Sequence, residues 1–215
     1  GAFILEDMLA HGPFDWMVQT ISAAFGPIGI YDVFRRFAPD GMRSPRFLGV
    51  QQAANCPMYT AWQSERGPSG SAPAGAVHEE LLTRVMYDVT PQTYGTYDDL
   101  KGILAATSGS MTTVSRAEFD EALGRSFDGR GLLERLADRG APIGTRDGDV
   151  VERTGLIAIA GALKAIDGGA IAPGCRVLCC LTSGTKPGDG QAVPDLVIDD
   201  LASAQSRLRH LVAHD

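Results

Sequence analysis

Apolar residues fall into short continuous runs separated by stretches with helical spacing. Trp16-Met17-Val18-Gln19-Thr20-Ile21 reads as a strand, and Ile28 to Phe37 as a helix with Tyr31, Phe34 and Phe37 facing inward. Arg46-Phe47-Leu48-Gly49-Val50 is a second strand, too continuous to be half-exposed, which fits a parallel sheet covered on both faces. Arg176 to Leu181 reads as a third, a central buried strand.

Helical patterns fill the intervals. An amphipathic helix carries Phe3, Ile4, Met8 and Leu9, with Leu5 between, and ends at His11-Gly12-Pro13. Pro57 opens another that runs through Trp62, and Asp98 to Ala106 forms the next. Ser115-Arg116-Ala117-Glu118 is a capping-box pattern that starts a helix. A further helix, Leu132 to Arg139, stops at Gly140. Thr154 is the expected N-cap of Leu156 to Leu163, a helix apolar on every side and therefore expected to be buried in a larger assembly. The last helix is predicted from about Leu201 to Val212, and Gly67 to Gly75 reads as a surface loop. Alternating strands and helices predict an α/β fold, a three-layer domain with a mostly parallel sheet spanning 1–215 as one domain.

Ligands of such sheets sit beyond the carboxyl ends of the strands. Two small polar loops meet that description, Ser22-Ala23-Ala24-Phe25-Gly26-Pro27 and Thr182-Ser183-Gly184-Thr185. The first leads straight into a helix, so free backbone N–H groups and the positive end of the helix dipole converge there. That is an arrangement for an anion, most often a phosphate. Pro27 suits the first helical position, where its missing N–H costs nothing.

A net charge of −7 without any basic run argues against nucleic acid as partner, so a bound phosphate would be held by local dipoles. The four cysteines lack C-x-x-C spacing, and Cys179 and Cys180 lie in an apolar run. Free thiols in a reducing, cytoplasmic compartment are expected. No apolar run reaches the roughly 20 residues of a membrane helix, and the first residues lack the basic leader of a signal peptide. The histidines offer no metal-binding spacing: His210 and His214 are four apart but have no third ligand. Neither a G-x-S-x-G elbow nor a Walker loop occurs.

The order of Asp15-Trp16-Met17-Val18-Gln19-Thr20-Ile21-Ser22, the loop ending Gly26-Pro27-Ile28-Gly29, and Pro45-Arg46-Phe47-Leu48-Gly49-Val50-Gln51 resembles the later half of threonine synthase-like enzymes, cysteate synthase in particular. Tyr87 to Tyr94, Val151 to Gly155 and Leu178 to Gly184 extend the resemblance from about residue 10 to 200. It implies the fold type II architecture of tryptophan synthase β and pyridoxal 5'-phosphate as cofactor. It also implies β-replacement or elimination on an amino acid with a β or γ leaving group. By the same resemblance Ser22, Ala23, Ala24, Phe25 and Gly26 hold the cofactor phosphate, and Thr182 or Ser183 faces the pyridine nitrogen. Asn55 is a candidate substrate contact, or a helix N-cap. Glu152 is expected to serve its own helix start.

Two departures from the family pattern follow. Ala23 and Ala24 stand where such enzymes carry glycines, and alanine resists positive φ. The lysine that carries the cofactor has no counterpart, because Lys101, Lys164 and Lys186 fall outside the matching motif. The resemblance therefore implies a companion polypeptide that supplies the lysine, the small domain and the first strands. The domain is expected to be incomplete without it, exposing the sheet edge and the apolar helix 156–163. The alternative is a non-catalytic paralogue that binds and stabilises or regulates a partner enzyme.

Overall fold

The computed structural model describes residues 1–66, 80–87, 97–141, 143, 145–146, 149–150 and 152–182, all within one compact unit, Gly1–Thr185. The predicted loop 67–75, most of the segment 87–94 and the last helix lie outside the described residues.

Four parallel strands form the sheet. They are β1 (Trp16–Thr20), β2 (Arg46–Gln52), β3 (Ser110–Val114) and β8 (Val177–Cys180), in the order β3-β2-β1-β8. Trp16 pairs with Arg46 on one side and with Val177 on the other, so all three strands start level. Side chains alternate across the sheet as the pleat requires. Trp16, Val18, Leu48, Val50 and Val114 enter one core, under α7 (Arg153–Asp167) and α5 (Arg116–Gly124). Met17, Ile21, Phe47 and Met111 enter the other. There they meet α1 (Ala2–His11), α2 (Phe25–Phe37), α3 (Pro57–Glu65) and α4 (Tyr97–Thr107). The described residues thus form the predicted α/β layers, helix–sheet–helix, with a wholly parallel main sheet.

The remaining elements are small. The two-residue strands β4 (Ser126–Phe127) and β5 (Arg130–Gly131) form an antiparallel ribbon before α6 (Leu132–Asp138). A second ribbon pairs β6 (Thr145–Arg146) with β7 (Asp149–Val150). A single 3-10 turn spans Arg84–Met86.

Several expectations are corrected. Among the described residues β8 is an edge strand with half-buried side chains, not a central one. Its apolar sequence reflects covering above and below by helices, which is independent of position in the hydrogen-bonding direction. Helix α7 starts at Arg153, and its N-cap is Glu152, not Thr154. The apolar body of α7 is covered within this chain, against the sheet and α5, leaving only Ile159 and Leu163 half-buried. The close packing is visible at Gly161, where a Cβ would stand 2.6 Å from Val50. Helix α2 starts three residues early, at Phe25, and its predicted inner residue Phe37 is 67% exposed. On α1, Leu5 and Met8 are the buried residues, while Phe3 and Leu9 face solvent.

Candidate functional site

At the carboxyl end of β1 lies a cleft of about 560 Å³. It is lined by Gln19 to Pro27, Val85 and Met86, the start of α7 at Thr154, and Thr182 after β8. Parallel strands place their C-terminal ends on one side of the sheet, so loops distant in sequence converge there. Of the residues singled out by sequence, Ser22, Ala23, Ala24, Phe25, Gly26 and Thr182 line this one cleft. Asn55 is not among its described lining; its N–H donates to the Gln52 carbonyl in the turn before α3. The N-cap of α3 is its neighbour Cys56. Ser183 lies outside the described residues.

The start of α2 is built from backbone alone. Ala24 is its N-cap, in the left-handed conformation (φ 57°, ψ 14°), and no side chain caps the helix. The first helical bond runs from the Ile28 N–H to the Ala24 carbonyl, 3.2 Å. The amides of Phe25 and Gly26 therefore have no helical acceptor. Pro27 occupies the third helical position, not the first, and there too its missing N–H costs no helical bond. The loop alanines are buried, with Ala24 packed into the core beneath α2.

Beneath this turn lies Gln19, 7% exposed on a strand whose first three residues are apolar. A Cβ at Gly26 would stand 2.5 Å from the Gln19 Nε2, so glycine is what lets the helix start approach that side chain. Gln19 Oε1 is buried and has no hydrogen-bond partner. Neighbouring Thr20 donates its hydroxyl to the Thr154 carbonyl at 2.6 Å, which fastens the first turn of α7 to β1. Glu152, fully buried, accepts from the Gly155 N–H at 2.6 Å and caps α7. That is the structural role expected of it.

None of the described lining residues is basic, so what they can offer an anion is backbone dipoles, amides and hydroxyls. The two described lysines are engaged elsewhere. Lys101 pairs with Glu65 at 2.6 Å, and Lys164 with Glu118 and the Thr113 carbonyl at 2.7 and 2.8 Å. All four cysteines are free. Burial, with the Cys180 thiol alongside, pushes the Cys179 thiol up to about 12, and burial pushes Cys180 up to about 11, so neither is a nucleophile near neutrality. No group of three metal-ligating side chains occurs among the described residues, nor any helix long and apolar enough to cross a membrane. A larger groove, about 1050 Å³, separates α2 from α4. Two of its arginines are already occupied, Arg35 by Asp32 and Arg46 by the Ser108 carbonyl and the Trp16 ring.

Sequence reasoning missed Gln19, Thr20 and Thr154 as lining residues. The signal existed: two polar residues ending a strand otherwise fit for complete burial. Val85 and Met86 gave no signal, because nothing local links that turn to β1.

Comparison with known proteins agrees with the resemblance to cysteate synthase. Cysteate synthase of Methanospirillum hungatei JF-1 is 28% identical over 195 residues, which cover 86% of this chain. The similarity to that enzyme extends over most of this chain. It spans 41% of the length of that relative. Among solved structures, the processed form of threonine deaminase isoform 2 from Solanum lycopersicum matches 94% of this chain and 45% of its own, with 12% identity and a TM-score of 0.48. No protein-family model matches the chain.

Proposed function

We propose that this chain is the cofactor-gripping part of a pyridoxal-phosphate-dependent β-replacement or elimination enzyme of the threonine or cysteate synthase type. It would work with a companion polypeptide that supplies the lysine. The observation that carries the reading is the cleft itself: an uncapped helix start, a small-residue loop and the neutral Thr182 share one cavity at the strand ends.

The residues fit the group. The free amides at the start of α2 suit a phosphate dianion, and Ser22 adds a hydroxyl beside them. Thr182, across the cleft, offers a neutral hydroxyl to a pyridine nitrogen. A neutral partner leaves the ring nitrogen unprotonated, which suits elimination and replacement better than transamination. When bound, pyridoxal phosphate supplies the electron sink for loss of a substrate α-proton and a β or γ leaving group. This chain's part is to bind and orient: the α2 amides fix the phosphate end, and the Thr20 to Thr154 bond keeps the α7 side of the cleft in place. The companion would supply the lysine and the small domain, in a hetero-oligomer. The free thiols agree with a reducing, cytoplasmic setting.

A second reading has one observation in its favour. Ala24 holds a left-handed conformation that disfavours any residue with a Cβ, as expected of a cradle no longer under demand for tight binding. The chain would then be a non-catalytic paralogue that stabilises or regulates a partner enzyme. Phosphorus-31 NMR separates the two. Titrating the chain into pyridoxal phosphate should broaden and shift the phosphate resonance, with inorganic phosphate competing. An unchanged resonance at millimolar chain, both alone and with the companion present, would exclude the cofactor reading. Co-purification with the product of the adjacent upstream reading frame tests the companion: visible absorbance in the complex is the expected result.

A further inference from the structure

Gln19 is the least explained residue of the cleft. It sits on β1 between Gly49 of β2 and Cys180 of β8, directly beneath the first turn of α2. It is 93% buried, yet its Oε1 has no partner. A buried carboxamide oxygen without a hydrogen bond is a standing destabilisation, and a strand position like this one is ordinarily filled by an apolar side chain. The other buried glutamines of the sheet are satisfied. Gln51 accepts from the Tyr59 N–H and Gln52 from the Leu82 N–H, each at 2.9 Å. Packing alone therefore does not account for the amide of Gln19.

The cleft does account for it. Gln19 lines the same cavity as the free amides of α2, and no described lining residue is a cation. A carboxamide carries two N–H donors, and a half-turn about its terminal torsion exchanges the nitrogen and oxygen ends. We infer that Gln19 is a specificity-determining residue of the cleft, a neutral side-chain donor that completes the phosphate-monoester site formed by the α2 amides. The inference rests on the anion-site reading above and deepens it. An amide rather than an ammonium keeps the site free of fixed charge beneath the sheet's core. Gly26 belongs to the same device, because a side chain there would push against the amide.

The test uses the 215-residue chain with Gln19→Met and Gln19→Glu, each measured for pyridoxal phosphate and inorganic phosphate by phosphorus-31 NMR and for thermal unfolding without ligand. Methionine keeps the volume and removes the unpartnered oxygen. Its melting temperature should rise by roughly 2 to 8 °C while affinity falls about ten- to hundred-fold. Glutamate keeps the shape but places negative charge against the anion. It should bind more weakly than Gln19→Met, and more weakly at pH 8 than at pH 5. A purely structural role predicts the reverse pattern: lower stability in both variants, with unaltered affinity in whatever folds. If the parent chain binds and Gln19→Met binds equally well, the role of Gln19 is overturned while the cleft reading stands. If the parent binds neither phosphate, both alone and with the companion present, both fall. Should Gln19→Met fail to fold, Gln19→Glu against the parent still decides, since equal affinity at pH 8 refutes the inference.

Discussion

The N-termini of α5 and α7 are closed by the chain's own side chains, whereas that of α2 is not. Ser115 and Glu118 form a reciprocal capping box on α5, with the Glu118 N–H donating to Ser115 Oγ and the Ser115 N–H to Glu118 Oε2 at 2.8 Å. Glu152 closes α7 from a fully buried position. At α2 the cap residue is an alanine in a left-handed turn, followed by glycine and proline at the second and third helical positions. Side chains thus close the starts of α5 and α7, while α1, α2, α3 and α6 begin without a side-chain cap, and of these four α2 alone contributes to the described lining of the cleft. The α2 start faces the cleft at the strand ends, where a ligand can take the role the carboxylates play elsewhere.

That contrast can be broken at several points. The largest effect is expected at Gly155→Ala. A methyl there would stand 2.6 Å from Glu152 Oε1 and 2.9 Å from the backbone of Leu181, which cannot swing aside. A loss of about 2 to 3 kcal/mol is expected, read as a lower urea midpoint. A variant as stable as the parent would show that the α7 cap is loosely held. Ser115→Ala should cost about 1 kcal/mol, the usual worth of an N-cap, and leave phosphate binding unchanged. Parallel loss of binding would mean that the α5 start communicates with the cleft.

Acid should act through the same box. Burial raises the Glu118 carboxyl, but the Lys164 ammonium and the Ser115 N–H outweigh it and hold the group below the ordinary carboxylate range. A depressed folded-state pKa contributes stability above the unfolded-state pKa and loses it as pH falls through the folded value. Urea midpoints should therefore decline as pH falls below the ordinary carboxylate range, and less steeply in Glu118→Gln. Equal slopes would remove Glu118 from the account.

The smallest effect is expected at Ala24→Gly. Relief of a left-handed alanine is worth about 1 to 2 kcal/mol. Against this stand about 0.5 to 1 kcal/mol of backbone entropy and up to about 0.8 kcal/mol for the buried methyl. Stability should change by less than about 1 kcal/mol, and phosphate affinity should not fall. A marked stability loss would show that the Ala24 methyl matters more to the core than its backbone conformation does to strain.

Much of the fold was legible in the residues. The continuous apolar runs at 16–21 and 46–50 could be read as parallel strands because such strands are covered on both faces. Ser115 and Glu118 announced α5 through chemistry local to four residues. Strand β3 was harder, since Ser110-Met111-Thr112-Thr113-Val114 has only two buried side chains and borrows its strand character from pairing with β2. The α2 start was misplaced by three residues because proline invites the first helical position, while the turn is set by Ala24 against the core. Phe37 was assigned inward by spacing alone, but it is the last residue of α2, where the helix leaves the core.

What the sequence determined by itself is the layered α/β plan and the order of its motifs, because burial pattern and capping are written in neighbouring residues. The tertiary structure decided which loops share a cavity. Gln19, Thr154 and Thr182 lie 135 and 28 residues apart along the chain and meet only through the level register of β1 and β8 and the docking of α7 on β1. It also decided that β8 lies at the edge and that Glu152, not Thr154, caps α7. Sheet order and cap geometry depend on partners distant in sequence, and no local pattern encodes them.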